Sequence, residues 1–195
     1  MILPILAYGH PVLKSKAKNI THDYKNLTQI IDNMWETMYN ANGVGLAAPQ
    51  VGLSIRLFII DTKPFSDDET IVKDERSKLK SFKKVFINPE ILDQHGDAWD
   101  FNEGCLSIPD VRADIKRSKS IFIKYCDINF KEEIAEFDGL IARVVQHEYD
   151  HIEGILFTDK LSSLKRKLMR RKLLDISRGK ISTDYIMKFS KNKIK

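Results

Sequence analysis

The sequence predicts an α+β fold in which sheets wrap around a buried helix. Three observations lead there: a helical stripe of apolar residues near the start, a series of β-branched and aromatic runs after it, and a second, strongly apolar helix beyond those runs. A chain of 195 residues suits one domain with a real core.

Within residues 24–39 the apolar side chains fall at Leu27, Ile30, Ile31, Met34, Trp35 and Met38, the spacing of a long N-terminal helix. Thr21 or Asp23 can cap its start, and Asn42-Gly43 suits its stop. Residues 43–52 are too rich in glycine for a helix interior. Runs at 56–61, 84–92 and 120–128, and a shorter one at 132–137, read as strands. Between the first two lies a polar stretch, 63–82, expected to be a long surface insertion holding a short helix. Asp138 precedes a strong helix over 140–152, which Gly154 ends. A basic helix is expected over 162–176, broken by Gly179, with a last strand over 183–189. The chain has no internal repeat.

Apolar residues make up 43% and charged residues 30%, and no apolar run approaches the ~20 residues a membrane-spanning helix needs. Residues 1–7 are apolar but lack a basic leader and soon meet Gly9, His10 and Pro11. They do not read as a signal peptide, so the expected compartment is the cytoplasm. Two cysteines, Cys105 and Cys126, do not suggest a disulfide framework there. Cys126 lies in a strand-like run and reads as a small buried hydrophobe. The net charge of +5 is segregated: residues 160–195 hold thirteen Lys or Arg against two Asp, a net +11, which leaves −6 on the other 159.

The sharpest local signal is His147-Glu148-Tyr149-Asp150-His151. On a helix, residues four apart share a face, so both imidazoles can reach one metal ion, with Glu148 beside it to handle protons. Leu140 and Val144 precede them at helical spacing, so the histidines extend an apolar stripe. A lone histidine on such a stripe usually packs in a core; two of them a turn apart beside a glutamate usually ligate. A catalytic tetrahedral site wants a third protein ligand and an open position. Cys105, in Glu103-Gly104-Cys105-Leu106-Ser107-Ile108-Pro109, is the best candidate, and Gly104 lets backbone approach closely.

Three segments, in this order, resemble the signature motifs of the peptide deformylase family: Gly43-Val44-Gly45-Leu46-Ala47-Ala48-Pro49-Gln50, then Glu103-Gly104-Cys105-Leu106-Ser107, then Gln146-His147-Glu148-Tyr149-Asp150-His151. The resemblance implies antiparallel sheets packed around a metal-binding helix. It implies a metal-dependent hydrolase that removes the formyl group from the N-terminal formylmethionine of newly made polypeptides and releases formate. By the same resemblance Cys105, His147 and His151 bind the metal, Glu148 is the general acid and base, and Gln50 and the backbone N–H of Leu106 face the developing oxyanion. The ion would be one divalent cation per chain, ferrous iron in the cell, with zinc, nickel or cobalt able to substitute. The catalytic domain would span 1–161, and 162–195 would be a basic helix and tail appended to the same domain. The long insertion and Ile152, where the family usually has leucine, depart from the common pattern.

Physical chemistry supports each role. A divalent metal lowers the pKa of bound water toward about 7. A positioned carboxylate can carry that water's proton to the leaving amine. A side-chain amide and a backbone N–H aimed at the formyl oxygen can each supply on the order of 3 kcal/mol. For the methionine side chain that the resemblance implies, Val44, Leu140, Val144 and the His147 ring offer an apolar slot, although Leu140 and Val144 suit plain core packing equally well. Gly45 and Gly104 would let the substrate backbone approach as an added strand. Glu103 could accept a hydrogen bond from a ligand histidine or orient the cysteine loop. Asp150 faces away from the ligand pair and needs a partner, with Arg112 and Arg117 as candidates. Gln146 reads as structural.

Two rival readings remain at this level. A generic zinc peptidase sharing only His-Glu-x-x-His leaves the glycine-rich segment and the Cys105 loop unexplained. An RNA- or ribosome-binding module with a structural metal would draw on Lys165-Arg166-Lys167 and Arg170-Arg171-Lys172. Those charges suit ribosome contact and a solvated helix face about equally, and Leu164, Leu168, Leu173 and Leu174 give the helix an apolar side for packing. Ribosome contact and catalysis are compatible. Formylmethionyl nascent peptides are the expected partner, ribosome contact through the basic helix stays an open alternative, no membrane partner is expected, and a monomer is the default.

Overall fold

The computed structural model describes residues 1–190, so the last five positions of the expected tail, 191–195, lie outside the described residues. In chain order the elements are β1 (Ile5–Leu6), α1 (Leu27–Asn40), β2 (Gly45–Ala47), β3 (Leu57–Asp61), α2 (Lys73–Ser81), β4 (Lys83–His95), β5 (Trp99–Cys105), β6 (Ile108–Arg117), β7 (Ser120–Cys126), β8 (Glu132–Asp138), α3 (Gly139–Ile152), α4 (Ser163–Ser177) and β9 (Met187–Lys188). Helix is thus mixed with mainly antiparallel sheet. Strands β2-β3-β4-β7-β8 form one antiparallel sheet, β5 and β6 form a hairpin, and β1 pairs with β9 in parallel.

The five-stranded sheet is covered on both faces. Successive side chains of a strand point to opposite sides. On β3, Phe58 and Ile60 pack with Ala142, Val144 and Val145 of α3, while Leu57 and Ile59 pack with Ile31, Met34 and Met38 of α1. Burying each large side chain contributes roughly 1.5–3 kcal/mol. The third cluster joins the inner face of β6 (Ile108, Val111, Ala113, Ile115) to Leu6, Phe157 and the buried side of α4, Leu173 and Ile176.

Several boundaries differ from the sequence reading. Helix α1 begins at Leu27, later than the stripe suggests, because Thr21 and Asp23 hydrogen-bond each other in a turn instead of capping it. Asn26 takes the left-handed conformation at the N-cap and makes no side-chain cap bond. At the other end Asn42 turns left-handed (φ 54°), and the Gly43 N–H donates to the Met38 carbonyl at 2.9 Å. Asp138 sits at the start of α3 but makes no side-chain cap bond. The insertion is a short 3₁₀ turn (Lys63–Asp67) followed by α2. Leu164 and Leu168, expected on the packed side of α4, are exposed at 66% and 76%. The last strand shrinks to two residues because β1, its partner, has only two. The hairpin β5–β6 is absent from the sequence reading, and it carries Cys105.

Candidate active site

Three elements converge on one cleft. Helix α3 contributes His147, Glu148 and His151, the hairpin tip contributes Cys105, and the 3₁₀ turn after β2 (Ala48–Val51) contributes Gln50. The Cys105 Sγ lies 3.2 Å from His151 Nε2. The three ligand atoms of Cys105, His147 and His151 all lie within 4.8 Å of one another. The two imidazoles meet edge to face with centroids 5.1 Å apart, as four-residue spacing on a helix requires.

Gln50 is buried, and its amide orientation is locked. Its Oε1 accepts the Ala47 N–H at 2.8 Å, which turns Nε2 toward Ser107 Oγ (3.3 Å) and Cys105 Sγ (3.5 Å). Glu148 is buried, and among the described residues its Oε2 has no hydrogen-bond partner. A buried, unpaired carboxyl oxygen is costly and marks a place where a proton or a ligand belongs. Burial raises its pKa to about 7, with the His147 and Arg117 charges lowering it and those of Glu103 and Asp150 raising it.

Glu103 is the hub behind the histidines. It accepts from His147 Nδ1 at 3.0 Å, from Arg117 at 2.7 and 2.9 Å, and from Arg143 at 3.1 Å. Burial alone would raise its pKa, but the bonds from His147 and Arg117 hold it well below the carboxylate range. Burial opposes a charge on His147 too, yet bonds with Cys105 and Glu103 push it up to about 10. Burial, then the charges of His147 and Arg117, keeps His151 well below its usual value. Of the two partners considered for Asp150, Arg117 makes the bond (Nη1 to Oδ2, 2.6 Å), while Arg112 binds Asn102. Gln146 ties α3 to the Ser118 carbonyl at 3.0 Å.

The cleft encloses about 460 Å³. Val44, Gly45, Gly104, Leu106 and Val144 line it as expected positions, beside Gln50, Cys105, His147 and Glu148. Leu140 is not among the residues that line it, and its side chain packs in the core with Val144 and Val145. Gly45 has a nearer purpose than substrate approach, since a Cβ there would stand 2.8 Å from Glu148 Cδ. Among the lining residues that were not expected are four large side chains. Phe65 comes from the insertion, Phe101 from β5, Arg143 from α3 and Tyr185 from the C-terminal segment. Phe65 and Phe101 meet edge to face at 6.5 Å. Arg143 was readable in principle, because an arginine inside an apolar helix must find buried partners; here these are Glu103 and the Ile115 and Trp99 carbonyls.

A mixed α and β scaffold that gathers a thiol, two imidazoles and an unpaired carboxyl in one cleft defines a metal-dependent hydrolase. Known proteins make the assignment specific. The family model described as Polypeptide deformylase matches residues 2–167. The chain is 60% identical to the peptide deformylase of Flavobacterium johnsoniae, with 97% of each covered, and 44% identical to that of Salinibacter ruber, with 95% and 93% covered. Its fold is similar to the crystal structures of peptide deformylases from Thermus thermophilus (TM-score 0.78, 36% identity, 92% of this chain and 99% of that one) and Legionella pneumophila (0.77, 39%, 92% and 98%). The chain belongs to the polypeptide deformylase family.

Proposed function

We propose that the chain removes the N-formyl group from the formylmethionine of newly made polypeptides, releasing formate, with α3 as the metal-binding helix between the sheets. The observation that carries the assignment of roles is the unpaired Glu148 carboxyl beside the Cys105, His147 and His151 donors. These donors fit one cation: a thiolate and two imidazoles suit zinc, iron, nickel or cobalt, and their 4.8 Å span suits bonds of about 2.0–2.3 Å. Buried Nδ1 of His151 has no hydrogen-bond partner among the described residues. A divalent cation held by these three residues would supply Lewis acidity and lower the pKa of water toward about 7. Ferrous iron is the cation proposed in the cell.

The protein's own groups do the rest. Glu148, with a pKa near 7, accepts a proton from the attacking water and returns it to the leaving amine. Gln50 Nε2, aimed by the Ala47 N–H, and the Leu106 N–H donate to the formyl oxygen as it gains charge. Val44, Gly45, Gly104 and Val144, joined by Phe65 and Phe101, shape the cleft for an extended peptide and its methionine side chain. Residues 1–161 form the catalytic body and 162–195 an appended part of the same domain. The basic face of α4 suits ribosome contact. Among the described residues no helix is long and apolar enough to cross a membrane; a cytoplasmic monomer is the proposed form.

The test is formate release by anaerobically prepared, iron- or nickel-loaded protein from formyl-Met-Ala-Ser, set against the acetylated and unformylated peptides. Release from the formyl peptide alone is expected, and Glu148→Ala should abolish it with metal still bound. A loaded Glu148→Ala protein that keeps parental turnover would remove Glu148 from the chemistry.

A further inference from the structure

The tip of the β5–β6 hairpin is closed by its own last pair, Cys105 with Ile108, but a bulge sets that pair apart from the rest of the ladder. Gly104 pairs with Arg112, but the next residue, Cys105, pairs with Ile108, and Asp110 inside the resulting bulge is left-handed (φ 55°). The tip is also tied to other elements. Gln50 Nε2 reaches Ser107 Oγ at 3.3 Å. The Tyr8 N–H donates to the Ser107 carbonyl at 2.8 Å. Lys172 of α4 donates to the Asp110 carbonyl. The Tyr185 hydroxyl donates to the Leu106 carbonyl at 2.7 Å, and its ring lines the cleft.

Tyr185 is itself well anchored. Thr183 Oγ1 bonds the Tyr185 carbonyl at 2.8 Å. The next residue, Ile186, accepts the Ile5 N–H at 2.9 Å, and the parallel pair β1–β9 follows immediately. The two turn carbonyls, of Leu106 and Ser107, are thus each held by a tyrosine residue from one of two segments that β1 and β9 join together.

We infer that Tyr185 is a positioning residue for deformylation: by holding the Leu106 carbonyl it fixes the turn whose preceding N–H faces the formyl oxygen, which makes the C-terminal return segment part of the active site. This rests on the role proposed above for the Leu106 N–H. A hydrogen-bonded carbonyl limits rotation of its residue, and a donor misplaced by about 1 Å can cost up to 100-fold in rate. Tyr185→Phe removes the hydroxyl and keeps the ring, whereas Tyr185→Ala removes both.

The experiment compares the metal-loaded full chain with both variants, reading kcat, KM, metal per chain and Tm, and also the Leu106 amide resonance in zinc-loaded, ¹⁵N-labelled protein. Tyr185→Phe is expected to lower kcat about tenfold with KM within about twofold, metal retained and the Leu106 resonance shifted. Tyr185→Ala is expected to raise KM as well, because the ring leaves the cleft wall. Parental kcat in Tyr185→Phe, or a loss that merely tracks lost metal or lower Tm, overturns the inference. If the loaded parent releases no formate, the deformylase reading has failed by itself; an unshifted Leu106 resonance in Tyr185→Phe then still overturns the positioning claim.

Discussion

Gly45 and Glu148 share one small space. A Cβ on Gly45 would stand 2.8 Å from the glutamate Cδ and 2.9 Å from its Cγ, so a glycine is what lets that carboxyl face the cleft. Gly45→Ala is expected to lower kcat at least about tenfold while the protein still folds and binds metal; steady-state kinetics with metal analysis checks this, and parental kcat would mean the carboxyl has room to move. His147, Glu148 and His151 were legible from the chain because helical periodicity turns a spacing of four into proximity. Cys105 was a weaker inference, since its neighbours in space lie far along the chain, as its 46-residue separation from His151 shows. Gln50 and Leu106 gained roles through family resemblance alone. Phe101 and Tyr185 reach the cleft by tertiary packing, which leaves no local trace in sequence.

At the scale of elements, the insertion does more than cover surface. Its 3₁₀ turn delivers Phe65 to the cleft, edge-on to Phe101, and α2 anchors it by burying Leu79. An edge-to-face aromatic pair is worth about 0.5–1.5 kcal/mol. Phe65→Ala is therefore expected to raise KM for formyl-Met peptides roughly threefold to tenfold with kcat kept; an unchanged KM would place Phe65 beyond the substrate's reach. Long periodic elements were readable: α1, α3 and α4 and strands β3, β4, β7 and β8 all lie where apolar spacing put them, within a few residues. The hairpin β5–β6 was missed because Asp100, Asn102 and Gly104 interrupt its first strand. Its second strand did carry a signal, the alternation of Val111, Ala113 and Ile115 with Arg112, Asp114 and Lys116.

At the scale of the molecule, a buried ion-pair network joins the hairpin to α3. Arg117 bridges Glu103 and Asp150, and Lys160 adds a second contact to Asp150 at 3.1 Å. Asp150→Asn leaves Arg117 only partly paired and is expected to lower stability by roughly 1–3 kcal/mol, with turnover per metal-loaded site within about twofold of the parent. Equal melting temperatures would exclude that role. Glu103 also makes stability depend on pH. Its folded pKa is depressed, so its contribution is complete above its ordinary value of 4.5 and is lost as pH falls through the lower folded value. The parent Tm should thus fall faster below about pH 4.5 than that of Glu103→Gln; parallel acid profiles would show that Glu103 does not control this limb.

The pairing of β1 with β9 ties residues 5–6 to residues 187–188. Ribosomes make chains from the N-terminus forward, and contacts this far apart in sequence form late. The five-stranded sheet and its two covering helices are complete by Ile152. The tie from Tyr185 to the hairpin tip that carries Cys105 needs residues well beyond Ile152. A growing copy of this chain therefore holds every residue of that sheet and of its two covering helices before it holds the tyrosine that ties down the hairpin tip.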